Sequence, residues 1–188
     1  FIASNTFATG GNAVTASAMT SGAFVFPNVD ITNSTVTLTG TGTVWGVTSD
    51  ASLTATGSTI VVSDAGASAK TFAGVAGVTY NIVSITTGGA GAVTFTGSSS
   101  FARLMATGGS TKTVKFTAGT TTTLTGGTNA FFSGAASNLI TCASSSNGSA
   151  WNLSKASDNV ESDYLSLQDS AAAGGASWYA GDNSTNVS

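Results

Sequence analysis

The 188 residues carry five Lys and Arg against eight Asp and Glu, with one Pro, one Cys and no His, and only 7% of the chain is charged. A net charge of −3 with so few and so scattered cations argues against nucleic-acid partners and leaves no polybasic patch for a membrane surface. No run of 18 apolar residues offers a transmembrane helix, and without His there is no Ser–His–Asp or Cys–His nucleophile and no imidazole metal ligand.

Strand signals begin early and recur to the end of the chain. Short stretches in which an apolar residue alternates with Thr or Ser predict strands near Ala23–Phe26, Val29–Ile31, Thr35–Thr39, Thr43–Thr48, Ser52–Ala55, Thr59–Val62, Lys70–Phe72 and Thr79–Ile85. They continue near Ala92–Thr96, Phe101–Ala106, Thr113–Thr117, Thr121–Leu124, Ala130–Phe132, Asn138–Cys142, Ala150–Leu153 and Tyr164–Leu167. Gly, Ser or Asn clusters separate them. No window holds an apolar helical face for more than one turn; the longest non-strand candidate, Ser170 to Ala173, is too short for a stable helix.

Almost a third of the chain is Thr or Ser, and 41% is hydrophobic. That is enough apolar material for a core rather than for disorder. Charge is far below the usual quarter or so of residues, which suits an architecture where each strand is covered by the next. The apolar centres Leu38, Ile60, Ile82 and Leu104 recur about every 22 residues, a period suited to one solenoid coil, and the repeat drifts after Leu104. Asn147-Gly148 is the sole hairpin dipeptide of the Asn-Gly or Asp-Gly type. The expected fold is therefore an all-β, right-handed parallel β-helix with coils of roughly 22 residues; an antiparallel β-sandwich or jelly roll is the alternative. Residues 1–157 are expected to form solenoid coils and 158–188 a terminal coil with a longer loop. Strand-like sequence from Phe1 to the last residue suggests a piece of a longer chain. Cys142, alone in Leu139-Ile140-Thr141-Cys142, reads as a small buried hydrophobe.

The run Ser162-Asp163-Tyr164-Leu165-Ser166-Leu167-Gln168-Asp169-Ser170, followed by Gly174-Gly175, Trp178-Tyr179-Ala180-Gly181 and Asn183-Ser184, resembles a recurring segment of tailed-phage virion- or tail-associated proteins and of some bacterial surface proteins. Lys70–Gly74, Thr113–Thr120 and Ala150–Ser154 resemble the coils that precede it. The resemblance covers about residues 30–188, is most specific from 110 onward, and implies a β-solenoid on a virion or cell surface. It assigns no catalytic residue.

The sequence offers two constellations for chemistry. The acidic group Asp158, Glu161, Asp163 and Asp169 could supply a pair of glycosidase carboxylates or calcium ligands. The competing reading makes these residues turn caps and solvated charges. Ser154-Lys155 is uninformative in so Ser-rich a chain. Trp178 and Tyr179 beside Asp182 and Asn183 form a possible carbohydrate or partner contact, against a structural reading in which Trp178 closes the end of the core; Trp45 and Trp151 read as packed. Thr-x-Thr strings are too irregular for an ice-binding face. The expectation is a non-enzymatic segment of a virion-surface fibre, tail-associated or capsid-decorating protein, structural and adhesive, with no catalytic, cofactor or metal residue. Self-association as a trimer or filament, other virion or cell-surface proteins and surface carbohydrate are its expected partners. A bacterial surface adhesin or extracellular filament subunit is the first alternative, and a polysaccharide-degrading β-helix enzyme the second.

Overall fold

The computed structural model describes residues 6–21, 28–47, 52–63, 66–86, 91–106 and 110–187. In chain order its strands are β1 (Thr6–Ala8), β2 (Ala13–Ala16), β3 (Met19–Thr20), β4 (Asn28–Asp30), β5 (Thr35–Leu38), β6 (Gly42–Gly46), β7 (Ser52–Thr54), β8 (Thr59–Val62), β9 (Lys70–Ala73) and β10 (Thr79–Ile85). Then follow β11 (Val93–Thr96), β12 (Ser100–Ala106), β13 (Lys112–Phe116), β14 (Thr121–Leu124), β15 (Ile140–Ser144), β16 (Trp151–Ser154), β17 (Asn159–Glu161), β18 (Leu165–Gln168), β19 (Ser170–Ala173), β20 (Ser177–Tyr179) and β21 (Thr185–Val187).

Every pairing between these strands is parallel, which excludes the sandwich and jelly-roll alternative; consecutive coils wind a β-solenoid of about seven turns of roughly 23 residues. Two eight-stranded sheets form its long walls, one in the order β2-β5-β8-β10-β12-β14-β16-β19 and the other β3-β6-β9-β11-β13-β15-β18-β21. A short third wall, β1-β4-β7, lies on the link from the second sheet to the first. Near the other end, β17-β20 lies instead on the link from the first sheet to the second. The boundary expected at 157/158 falls between β16 and β17, and both long sheets run past it.

Alternation decides which side chains go in. Val36, Leu38, Val93, Phe95, Val114 and Phe116 are buried, while Thr37, Thr94 and Lys115 between them face outward. In the first wall, Val14 pairs with Val36, Val36 with Ile60, Ile60 with Val83 and Val83 with Leu104. Ile82, counted in the sequence as the third member of the repeat, pairs with Arg103 and lies one residue off this ladder. Leu38 pairs with Val62. Coil lengths vary by a few residues, so an even spacing finds the period but not the register.

The second wall carries an aromatic column. Trp45 pairs with Phe72, Phe72 with Phe95 and Phe95 with Phe116. Beyond Phe116, Trp151 from the opposite wall continues the stack with ring centroids 4.2 Å apart. Tyr80 and Phe101 fill the space between the walls, stacked at 5.4 Å. The Tyr80 hydroxyl accepts hydrogen bonds from Trp45 Nε1 at 3.2 Å and from Val75 N at 3.1 Å, so its one polar atom is satisfied inside the core. Cys142 is fully buried, and burial pushes its thiol pKa up.

All eight first-wall strands are preceded by a residue with positive φ: Gly11, Asn33, Gly57, Gly77, Gly97, Gly119, Gly148 and Asp169 lead into β2, β5, β8, β10, β12, β14, β16 and β19. At Gly57 the need for Gly is doubled, because a Cβ there would strike the side-chain oxygen of Asn33 in the coil below. A hydroxyl follows several of these residues and ties the turn: Ser58 Oγ donates to Ala55 O at 2.7 Å and Thr120 Oγ1 to Thr117 O at 2.6 Å. Of the five Lys and Arg, Lys70, Lys112 and Lys155 are buried, their stems packed inside and their ammonium groups delivered to carbonyls at the corners.

Three expectations need amendment. Ser170 to Ala173 is strand β19, because pairing along the whole of β16 outweighs local propensity. Ala130–Phe132 is apolar and buried as a strand would be, yet it is irregular backbone, joined to the first wall by the Leu104 N to Ala130 O bond at 2.9 Å. The strands β1–β3, β17, β20 and β21 carry too little alternation to be read in advance. The strand expected at Ala23–Phe26 lies outside the described residues.

The column predicts that Phe116→Ala destabilises the fold by about 3–5 kcal/mol in urea unfolding, since its cavity is walled by stacked rings on both sides. The neighbouring outward substitution Thr94→Ala should stay within about 0.5 kcal/mol.

Candidate functional site

The acidic residues separate by role. Asp158 and Asp169 occupy left-handed turn positions, with φ of 68° and 52°. The Asp169 carboxylate accepts from Gly148 N at 3.1 Å, and Asp158 lies 3.7 Å from the Lys155 ammonium group. Asp163 is a fastener between the last two coils. Its carboxylate accepts from Asn183 Nδ2 at 2.8 Å, from Asn183 N at 3.1 Å and from Tyr164 N at 2.8 Å. The hydrogen bond from the Asn183 side chain, with those from the backbone, holds its pKa below the ordinary Asp value of 3.8. These three bonds commit the Asp163 carboxylate to joining the last two coils. Glu161, at the end of β17, makes no side-chain hydrogen bond or ion pair among the described residues. Among the described residues, no three His, Cys, Asp or Glu side chains come together as a metal site.

The four residues expected to make contacts fall in one coil but not on one surface. Trp178 and Tyr179 are successive in β20 and so face opposite ways: Trp178 is half-buried against the core, and Tyr179 is 55% exposed. Asp182 is exposed on the following turn, and Asn183 is committed to Asp163. Beneath Trp178 the core stays open as an apolar cavity of about 110 Å³ bounded by Phe131, Trp151, Leu165 and Leu167. Trp178 thus half-covers the core end while Tyr179 alone projects a ring outward.

A second concavity brings together two of the four acidic residues singled out in the sequence, Glu161 and Asp163, and leaves Asp158 and Asp169 outside it. Between β14 and β15 the chain makes its longest connection, and the β14–β16 register carries Thr121 to Asn152. This connection leaves the wall after β14 and rejoins it at Ala130, where the Leu104–Ala130 bond resumes the ladder. On its side it opens a cleft of about 330 Å³ over β12 and the end of β17. Arg103, Met105, Asn129, Phe131, Glu161 and Ser162 are among its walls. Ser133 and Asp163 fix one side: Ser133 Oγ donates to Asp163 O at 3.3 Å and accepts from Asp163 N at 3.0 Å. Two signals for this cleft were present in the sequence: the drift of the repeat after Leu104, and a lone Arg at an outward strand position.

Comparison with family models, with curated proteins and with solved structures yields no match.

Because the folded pKa of Asp163 is depressed, its contribution is complete above the ordinary Asp value and is lost as pH falls through the lower folded value. Protection of the Asn183 and Tyr164 amides, measured against their intrinsic exchange rates, should therefore hold from about pH 5 to 7 and fall only as pH drops below the ordinary Asp value of 3.8. Asp163→Asn should remove that pH step.

Proposed function

We propose that this chain is a structural and adhesive β-solenoid segment of a virion-surface protein, of the fibre, tail-associated or capsid-decorating kind. The observation that carries the reading is the unbroken parallel stack, in which both long sheets run through eight strands; at the two ends of the described residues, β1–β3 and β19–β21 are each paired on one side only. Above the first lies an apolar hollow of about 220 Å³ between Phe7, Val14, Met19, Val29 and Val47, and the opposite end holds the cavity beside Trp178. Ends of this kind are suited to burial by neighbouring segments or subunits, and stacked coils between them make a stiff rod. Self-association as a trimer or filament and attachment to other surface proteins follow from that role, and Tyr179 is the exposed ring of the terminal coil. The same physics serves a bacterial surface adhesin or filament subunit. The enzymatic alternative is weaker, since one of the two carboxylates in the lateral cleft is already committed to holding the last coil.

Light scattering of the purified chain with electron microscopy tests the proposal. Trimers or end-joined rods are the expected result, with assembly reduced by Val187→Asp on the exposed β21 edge. A chain that stays monomeric at millimolar concentration, with no rods in the images, would count against it.

A further inference from the structure

The lateral cleft carries a second inference, which does not depend on where the rod is anchored. We propose that it binds a neutral saccharide, with Arg103, Asn129 and Glu161 as the hydrogen-bonding groups. In a chain with five Lys and Arg, three are buried, and Arg103 is an exposed one at the wall of the cleft. The side chains of Arg103, Asn129 and Glu161 have no hydrogen bond or ion pair among the described residues, although all three border the same volume. A guanidinium, a carboxamide and a carboxylate are the planar side chains that can take two adjacent hydroxyls at once, by two donors, a donor and an acceptor, and two acceptors respectively. Half-buried Met105, with the edge of the otherwise buried Phe131, supplies apolar surface on the same cleft, as the C–H face of a pyranose requires.

Competing ligand classes fit less well. Glu161 and the ionised Asp163 stand on the same cleft as the single guanidinium, so an anionic ligand would meet two negative charges for one positive. An extended peptide would need free backbone to pair with. Here the backbone is already used: Leu104 N donates to Ala130 O at 2.9 Å, Glu161 N to Thr128 O at 2.9 Å and Gly134 N to Asp163 O at 2.8 Å. Recognition is left to side chains. Ser162, whose hydroxyl is buried without a partner among the described residues, borders both this cleft and the apolar core cavity.

The test is an array of neutral and acidic oligosaccharides probed with the purified chain, followed by calorimetry with maltotriose, cellotriose and mannotriose. Binding of a neutral glycan is expected, weakened about tenfold or more by Arg103→Ala and by Glu161→Gln at unchanged melting temperature. Tyr179→Ala should leave it intact. The proposal is overturned if no neutral glycan binds, if only acidic glycans bind, or if affinity survives both substitutions. Binding lost in Tyr179→Ala but kept in Arg103→Ala would move carbohydrate contact to the terminal coil and remove it from the cleft.

Discussion

Parallel stacking without slippage is the constraint on which this molecule rests. A strand displaced by one residue would turn its Val, Leu and Phe outward and its Thr inward, so each coil must arrive in phase with the one before. Two devices hold that phase. Inside, each ring of the Trp45–Phe72–Phe95–Phe116 column sits on its predecessor and fixes the height and position of the second wall. At the corner, a left-handed residue one to three positions before each first-wall strand turns the chain, and in several coils the hydroxyl after it ties the turn to its own coil. Coils can then differ in length on the far side without losing register.

This division explains what was legible in the sequence. Period-two alternation of apolar and hydroxyl residues is a direct imprint of one buried and one outward face, and it located the strands from Thr35 to Leu124 well. The corner signal was equally present, as Asn33-Ser34, Gly57-Ser58, Gly119-Thr120, Gly148-Ser149 and Asp169-Ser170. Apolar spacing obscured it, because Ile82 offered a more even interval than the true partner Val83. The terminal strands were harder. Ser170-Ala171-Ala172-Ala173 becomes a strand through the neighbour it pairs with, and no local preference reports that. Asp163 was visible as an acidic residue, but its work is set by Asn183, twenty positions later, which only the coil geometry brings to it.

Charge is spent sparingly and almost always structurally. Lys70, Lys112 and Lys155 carry their ammonium groups to corner carbonyls; Asp158, Asp163 and Asp169 serve turns. Against that background, an uncommitted guanidinium and carboxylate beside the one long excursion are conspicuous. The excursion also supplies Phe131 and Phe132 to the core, so the loop that opens the cleft is anchored by the packing that closes the coil.

The two short walls have a geometric consequence. One lies on the link entering the first sheet and the other on the link leaving it, so the cross-section of the rod changes corner along its length.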